Sequence, residues 1–129
     1  MIGALIADPA RAAERAVIMV RDGRVVHHEL DPALAARGVV VGGLATLDHA
    51  DIAGTLGATS DASPDAFTQL HEAFLAGGAY IHVPRGVAVE APIVVLHWSD
   101  GDGLASFPHT LLVAEEGSEV SVLERFGSP

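Results

Sequence analysis

The sequence contains no cysteine and no lysine. Its 7 basic residues are all arginine (Arg11, Arg15, Arg21, Arg24, Arg37, Arg85 and Arg125), against 17 Asp and Glu, for a formal net charge of −10. Without a thiol the polypeptide has no thiolate nucleophile, no cysteine-ligated zinc and no cysteine-ligated iron–sulfur cluster. Without lysine it has neither Schiff-base chemistry nor a P-loop, so any ATP hydrolysis linked to this chain belongs to another chain. The excess of negative charge repels phosphate backbones, which makes nucleic acid and anionic membrane poor partners.

Long apolar runs are also missing. The longest, residues 39–47, falls well short of the ~20 residues a membrane-spanning helix needs. Residues 1–7 are apolar but lack a basic start and meet Asp8 at once, so they do not read as a secretory signal, and the cytoplasm is the expected compartment. Aromatic residues make up 5% of the chain and hydrophobic residues 50%. A chain of this length buries roughly 68% of its unfolded surface, enough for one soluble domain without a crosslink or a metal staple.

The turn chemistry organises what is present. Asp8-Pro9 has the capping acid and first-turn proline of a short helix over residues 10–16. Residues 17–21 and 24–28 flank Asp22-Gly23, a pair suited to a two-residue hairpin turn of type I′. Asp31-Pro32 repeats the helix start, Gly38 closes it, and Val39-Val40-Val41 should be a short buried strand. Residues 46–56 suggest another short helix, and the small polar residues 57–64 suggest a linker. The expected division is therefore 1–62, an N-terminal α/β segment with a hairpin, and 63–129.

In the second part, Ser63-Pro64 should cap a helix whose Phe67, Leu70 and Phe74 form an apolar stripe, with Asp65 at the positive end of its dipole and Gly77-Gly78 at its end. Everything beyond reads as strand: residues 79–83, 87–90, 93–98, 110–114 and 119–126. Corners such as Val83-Pro84-Arg85-Gly86-Val87, with Ile81, Val83, Val87 and Val89 at inward spacing, suit a chain that bends and continues. A solenoid of parallel β rungs is the natural candidate, and positive φ is expected at Gly86.

The segment from Phe67 to Phe126 resembles the SufB/SufD family of iron–sulfur cluster assembly scaffolds. The resemblance is carried by Ala66-Phe67-Thr68-Gln69-Leu70-His71-Glu72-Ala73-Phe74, by Gly77-Gly78-Ala79-Tyr80-Ile81-His82-Val83-Pro84-Arg85-Gly86-Val87 with Val89-Glu90-Ala91-Pro92-Ile93, and by Thr110-Leu111-Leu112-Val113-Ala114-Glu115-Glu116-Gly117. The Val89–Ile93 wording looks more like SufD than SufB. The hairpin around Asp22-Gly23 is similar to the strand pair that precedes the SufD β-helix. Family members are longer, with a right-handed parallel β-helix and a C-terminal helical region that docks the ABC-type ATPase SufC.

The resemblance implies a mainly β fold: an α/β N-terminal segment, then the first rungs of a right-handed parallel β-helix capped by the Phe67–Phe74 helix. It implies a non-catalytic scaffold working with a SufB-like subunit and a SufC-like ATPase. The iron–sulfur cluster belongs to the assembled complex, with no cofactor on this chain. The family's cluster-assembly residues lie towards the C-terminal part of the β-helix, and none carries over to a position here.

The rival reading is a small cupin-like protein handling a metal or a sugar. Seven histidines (His27, His28, His49, His71, His82, His97 and His109) are the main potential ligands, and His82, Glu90, His97 and His109 fall on neighbouring strands where they could converge. The H-x-H signature with a nearby Glu is missing, however, and His27-His28 would point to opposite faces of a strand. Asp100 and Asp102 imitate part of a calcium loop without its later acidic ligand, so they, with Glu115, Glu116 and Glu119, read as solvated turns. No catalytic, cofactor-binding or metal-binding residue is assigned, and His82, His97 and His109 are expected not to be catalytic. The last rung, with Val120 and Val122 inward, is expected to leave an open edge that dimerises or aggregates unless further C-terminal sequence covers it.

Overall fold

The computed structural model describes residues 15–47 and 65–129. The helix expected over residues 10–16 lies outside these residues except at Arg15, which is not helical, and Ala16, which instead opens a strand. The expected linker over 57–64 and the Ser63-Pro64 cap also lie outside them, as does the part of the 46–56 helix beyond Leu47.

Strands β1 (Ala16–Arg21) and β2 (Arg24–Leu30) form the antiparallel hairpin, with Arg21 opposite Arg24 across its tip. Asp22 and Gly23 sit at φ 49° and 84°, the paired left-handed conformation that matches the right-handed twist of the flanking strands. Helix α1 (Pro32–Ala36) is capped by the Asp31 carboxylate, which accepts from the Ala33 amide at 2.7 Å. Gly38, at φ 85°, turns the chain into β3 (Val40–Gly43), and a 3-10 turn follows at Leu44–Thr46.

Helix α2 (Ala66–Phe74) is capped by Asp65, whose carboxylate accepts from the Thr68 amide at 2.7 Å and from its hydroxyl at 2.9 Å. Those bonds hold the Asp65 carboxyl below its usual pKa. The helix stops at Phe74, before the glycine pair that was expected to end it.

Four strands follow: β4 (Gly78–Val83), β5 (Ile93–Trp98), β6 (His109–Ala114) and β7 (Val122–Gly127). β4 pairs in parallel with β6 at a constant offset of 31 residues, from Gly78 with His109 to Val83 with Ala114. β5 pairs in parallel with β7 at a constant offset of 29, from Ile93 with Val122 to Trp98 with Gly127. Between them Ala88 bridges Glu119 in parallel, and the corners at Gly86 and Gly117 share φ values of 69° and 71°. The strand expected at 87–90 is thus a single bridge. That expected at 119–126 is a bridge at Glu119 followed by β7.

Among the described residues the fold is mainly β, with two mixed sheets ordered β2-β1-β5-β7 and β3-β4-β6 and no closed barrel. The inward residues of β4 and β5 alternate along each strand: Ala79, Ile81 and Val83 face Ile93 and Val95, all fully buried. β1 lies parallel beside β5 and β3 antiparallel beside β4, so Ile18, Val20 and Val41 extend this core on one side. Leu34 of α1 and Val39, 0% and 2% exposed, close it.

The helix stripe expected to cap the rungs does not. Phe67, Leu70 and Phe74 are 81%, 41% and 61% exposed. The N-terminal strands, with Leu34, already occupy the flank that α2 would have to cover. Among the described residues no helix is long and apolar enough to cross a membrane.

Candidate functional site

The four residues proposed to converge do not meet. Each of the three histidines finds a separate partner, because strand direction and register send the side chains to different places.

His82 lies on the outward face of β4, where its Nε2 is 2.8 Å from Glu115 Oε1 at the corner that follows β6. The other Glu115 oxygen accepts from the Arg85 amide at 3.0 Å. The His82 contact first, and then this backbone bond, draw the Glu115 carboxyl below its usual pKa. Arg85 also pairs with Glu116, so the acids around Gly117 clamp the corner rather than forming an empty cation site.

His97 points inward from β5 and is buried, with its ring stacked on Phe126 of β7 at 4.3 Å and 7° between planes. Its Nε2 is 3.2 Å from Glu124 Oε1, which also accepts from the Thr110 hydroxyl of β6. Burial pushes the Glu124 carboxyl upward, but the bonds from Thr110 and His97 outweigh it and the net shift is downward. Buried His97, exposed Glu124 and half-buried Thr110 thus form a polar triad that joins the two sheets. His97 Nδ1 is buried without a hydrogen-bond partner among the described residues.

His109, at the start of β6, meets His71 of α2: Nδ1 and Nε2 are 3.3 Å apart. Phe107 stands edge-on to His71 at 6.5 Å and stacks on Phe74 at 5.9 Å, which gives the exposed helix stripe one aromatic contact. Burial, and then the neighbouring His71, hold the His109 imidazole below its usual pKa. Glu90 is exposed and joins none of these groups.

The Ser99–Gly103 string is also tied down. Arg21 donates from Nε and Nη2 to the two Asp100 carboxylate oxygens at 3.1 and 2.8 Å, and the Asp100 amide donates to Asp22 at 3.2 Å. The Arg21 bonds lower the Asp100 pKa. This bidentate pair joins the hairpin tip to the end of β5 across 79 positions, a separation that no local spacing reveals. A groove of about 380 Å³ lies between β2 and β3, lined by Arg24, His27, His28, Thr46 and the backbone of Gly77 and Gly78. Among the described residues no three His, Asp or Glu side chains gather to hold a metal.

What recurs in this geometry is parallel strand beside parallel strand with histidines at the contacts, and comparison with known proteins points to one family. Residues 11–95 match the family described as the SufBD protein N-terminal region. The chain belongs to the SufBD family. It is 29% identical over 117 residues to the iron-sulfur cluster assembly protein SufD of Bacillus subtilis (strain 168), which covers 88% of this chain and 27% of that protein. It is 32% identical over 106 residues to an iron-sulfur cluster assembly SufBD family protein of Mycobacterium tuberculosis (strain ATCC 25618 / H37Rv), covering 80% of this chain and 12% of that protein. The chain thus spans about a quarter and about an eighth of these relatives' lengths.

Proposed function

We propose that the chain serves iron–sulfur cluster assembly as a SufD-like, non-catalytic scaffold, working in the cytoplasm beside a SufB-like subunit and a SufC-like ABC ATPase. The observation that carries this reading is the match over residues 11–95 to the SufBD N-terminal region. The parallel, in-register pairing of β4 with β6 and β5 with β7 supports reading them as the first two coils of a right-handed parallel β-helix. In that architecture the free edges of β6 and β7 take a further coil or a second copy of the chain.

The scaffold role is consistent with the chemistry of the described seams, where carboxylates and imidazoles are engaged in joining coil to coil. The ATPase step needs a phosphate-binding lysine that this chain lacks, so it falls to the partner. The cluster is the cargo of the assembly, and no residue here is assigned to hold it. The cupin-like alternative loses its support: cupins are antiparallel jelly rolls, whereas three of the strand pairs here are parallel.

Co-expression with SufB-like and SufC-like proteins from the same genome, followed by affinity capture on this chain, tests the proposal. Stoichiometric recovery of both partners is the expected result. Recovery of neither, from a chain whose circular dichroism shows a folded β protein, would overturn it. Sedimentation of the chain alone separates monomer from self-paired dimer.

A further inference from the structure

We propose that His71 and His109 form an open two-imidazole site for a divalent transition-metal ion of the zinc type. The inference goes beyond cluster assembly and stands on the geometry of this chain alone.

His71 Nε2 and His109 Nδ1 are 3.3 Å apart. The two nitrogens meet as a hydrogen bond in the metal-free chain; two imidazole nitrogens bound to a tetrahedral zinc at ~2.0–2.1 Å stand about 3.3–3.4 Å from each other, so an ion that displaces the shared proton finds them at a chelating separation. The rings are tilted by 56° with centroids 5.5 Å apart, so they meet by their nitrogens rather than by stacked faces.

Both ligands sit on regular elements. His109 is the first residue of β6, with its amide bonded to the Gly77 carbonyl at 3.2 Å. His71 lies within α2, and the edge of Phe107 limits rotation of its ring. His82, His97 and His27 each face a carboxylate, whereas the contacts of this pair are another imidazole and an aromatic ring.

With two imidazoles as protein ligands, the two remaining positions of a tetrahedral ion are left to water or to a donor from another molecule, one more than the single open position of a three-ligand catalytic zinc site. Such a site exchanges its metal. Among divalent ions copper binds imidazole more tightly than zinc, so either ion serves as a probe. The 38-residue separation of the two histidines explains why no sequence spacing announces the pair.

The test is calorimetric titration of the full chain with zinc chloride, alongside His71→Ala, His109→Gln and, as a control, His82→Gln. One saturable site is expected in the parent and in the control, weakened at least about tenfold in each of the other two variants. Nitrogen-15 spectra of the imidazoles provide a readout that does not depend on a variant folding: zinc should shift His71 Nε2 and His109 Nδ1 before any other ring nitrogen. Equal zinc affinity in all four proteins, shifts confined to other histidines, or no saturable binding would overturn the proposal.

Discussion

Two parallel strand layers, β4 with β5 (the first coil) and β6 with β7 (the second coil), share a register and differ in burial. Ile81 in the first coil is fully buried, and its partner Leu112 in the second is 40% exposed. His97 is 6% exposed, and its partner Phe126 is 73% exposed. The same inward spacing therefore yields a core in one coil and a half-wet face in the other. The difference is neighbours: β1 and β3 cover the first coil on one side and the second coil covers it on the other. Burial in a stacked architecture belongs to the stack and not to the strand.

The contrast breaks most severely where the coils approach most closely. A Cβ on Gly78 would stand 1.7 Å from the His109 carbonyl oxygen, at a φ of 150° that disfavours a side chain. Gly78→Ala should cost at least about 3 kcal/mol or prevent folding, read from a urea midpoint or from its loss.

Ile81→Ala and Leu112→Ala compare the coils at one register position. The first should destabilise by about 2–5 kcal/mol, and the second by under about 1 kcal/mol because much of that side chain stays in water. Equal shifts in the urea midpoint would mean that both coils are covered alike in solution.

A smaller effect is expected at the corner. Gly86 has a φ of 69° with open space around its missing Cβ, so Gly86→Val is penalised by backbone strain without a clash. The expected cost is about 1–3 kcal/mol, and an unchanged midpoint would place the residue in ordinary extended backbone.

The smallest effect is electrostatic. The His109 pKa is depressed in the folded chain from its usual 6.5, so its contribution to stability is complete above pH 6.5. It is lost as the pH falls through the folded value, where the unfolded imidazole is already protonated. In the presence of a chelator, His109→Gln should flatten the fall in stability between about pH 7 and pH 5. The further loss below pH 4.5 should persist, because the depressed carboxyls of Glu115 and Glu124 remain.

Much of this was legible in the residues. Asp22-Gly23, Asp31-Pro32 and the apolar run 93–98 act locally, through φ preference, capping and alternation, and their elements fall where expected. The resemblance carried by residues 66–93 and 110–124 led to the family. What misled was the stripe Phe67, Leu70 and Phe74: helical spacing says which residues share a face, but not whether another element lies against it. The seams were hidden for a related reason. His82 meets Glu115 across 33 positions, and His71 meets His109 across 38. Only the parallel register brings the first pair together, and only the docking of α2 beside β6 the second.

Nuclear Overhauser contacts between backbone protons measure the parallel pairing of β4 with β6 most directly. The expected contacts run at a constant difference, pairing Tyr80 with Leu111, Ile81 with Leu112 and His82 with Val113. Contacts in which the numbers change in opposite directions, such as Gly78 with Ala114 and Val83 with His109, would make β4 and β6 antiparallel and would contradict the account.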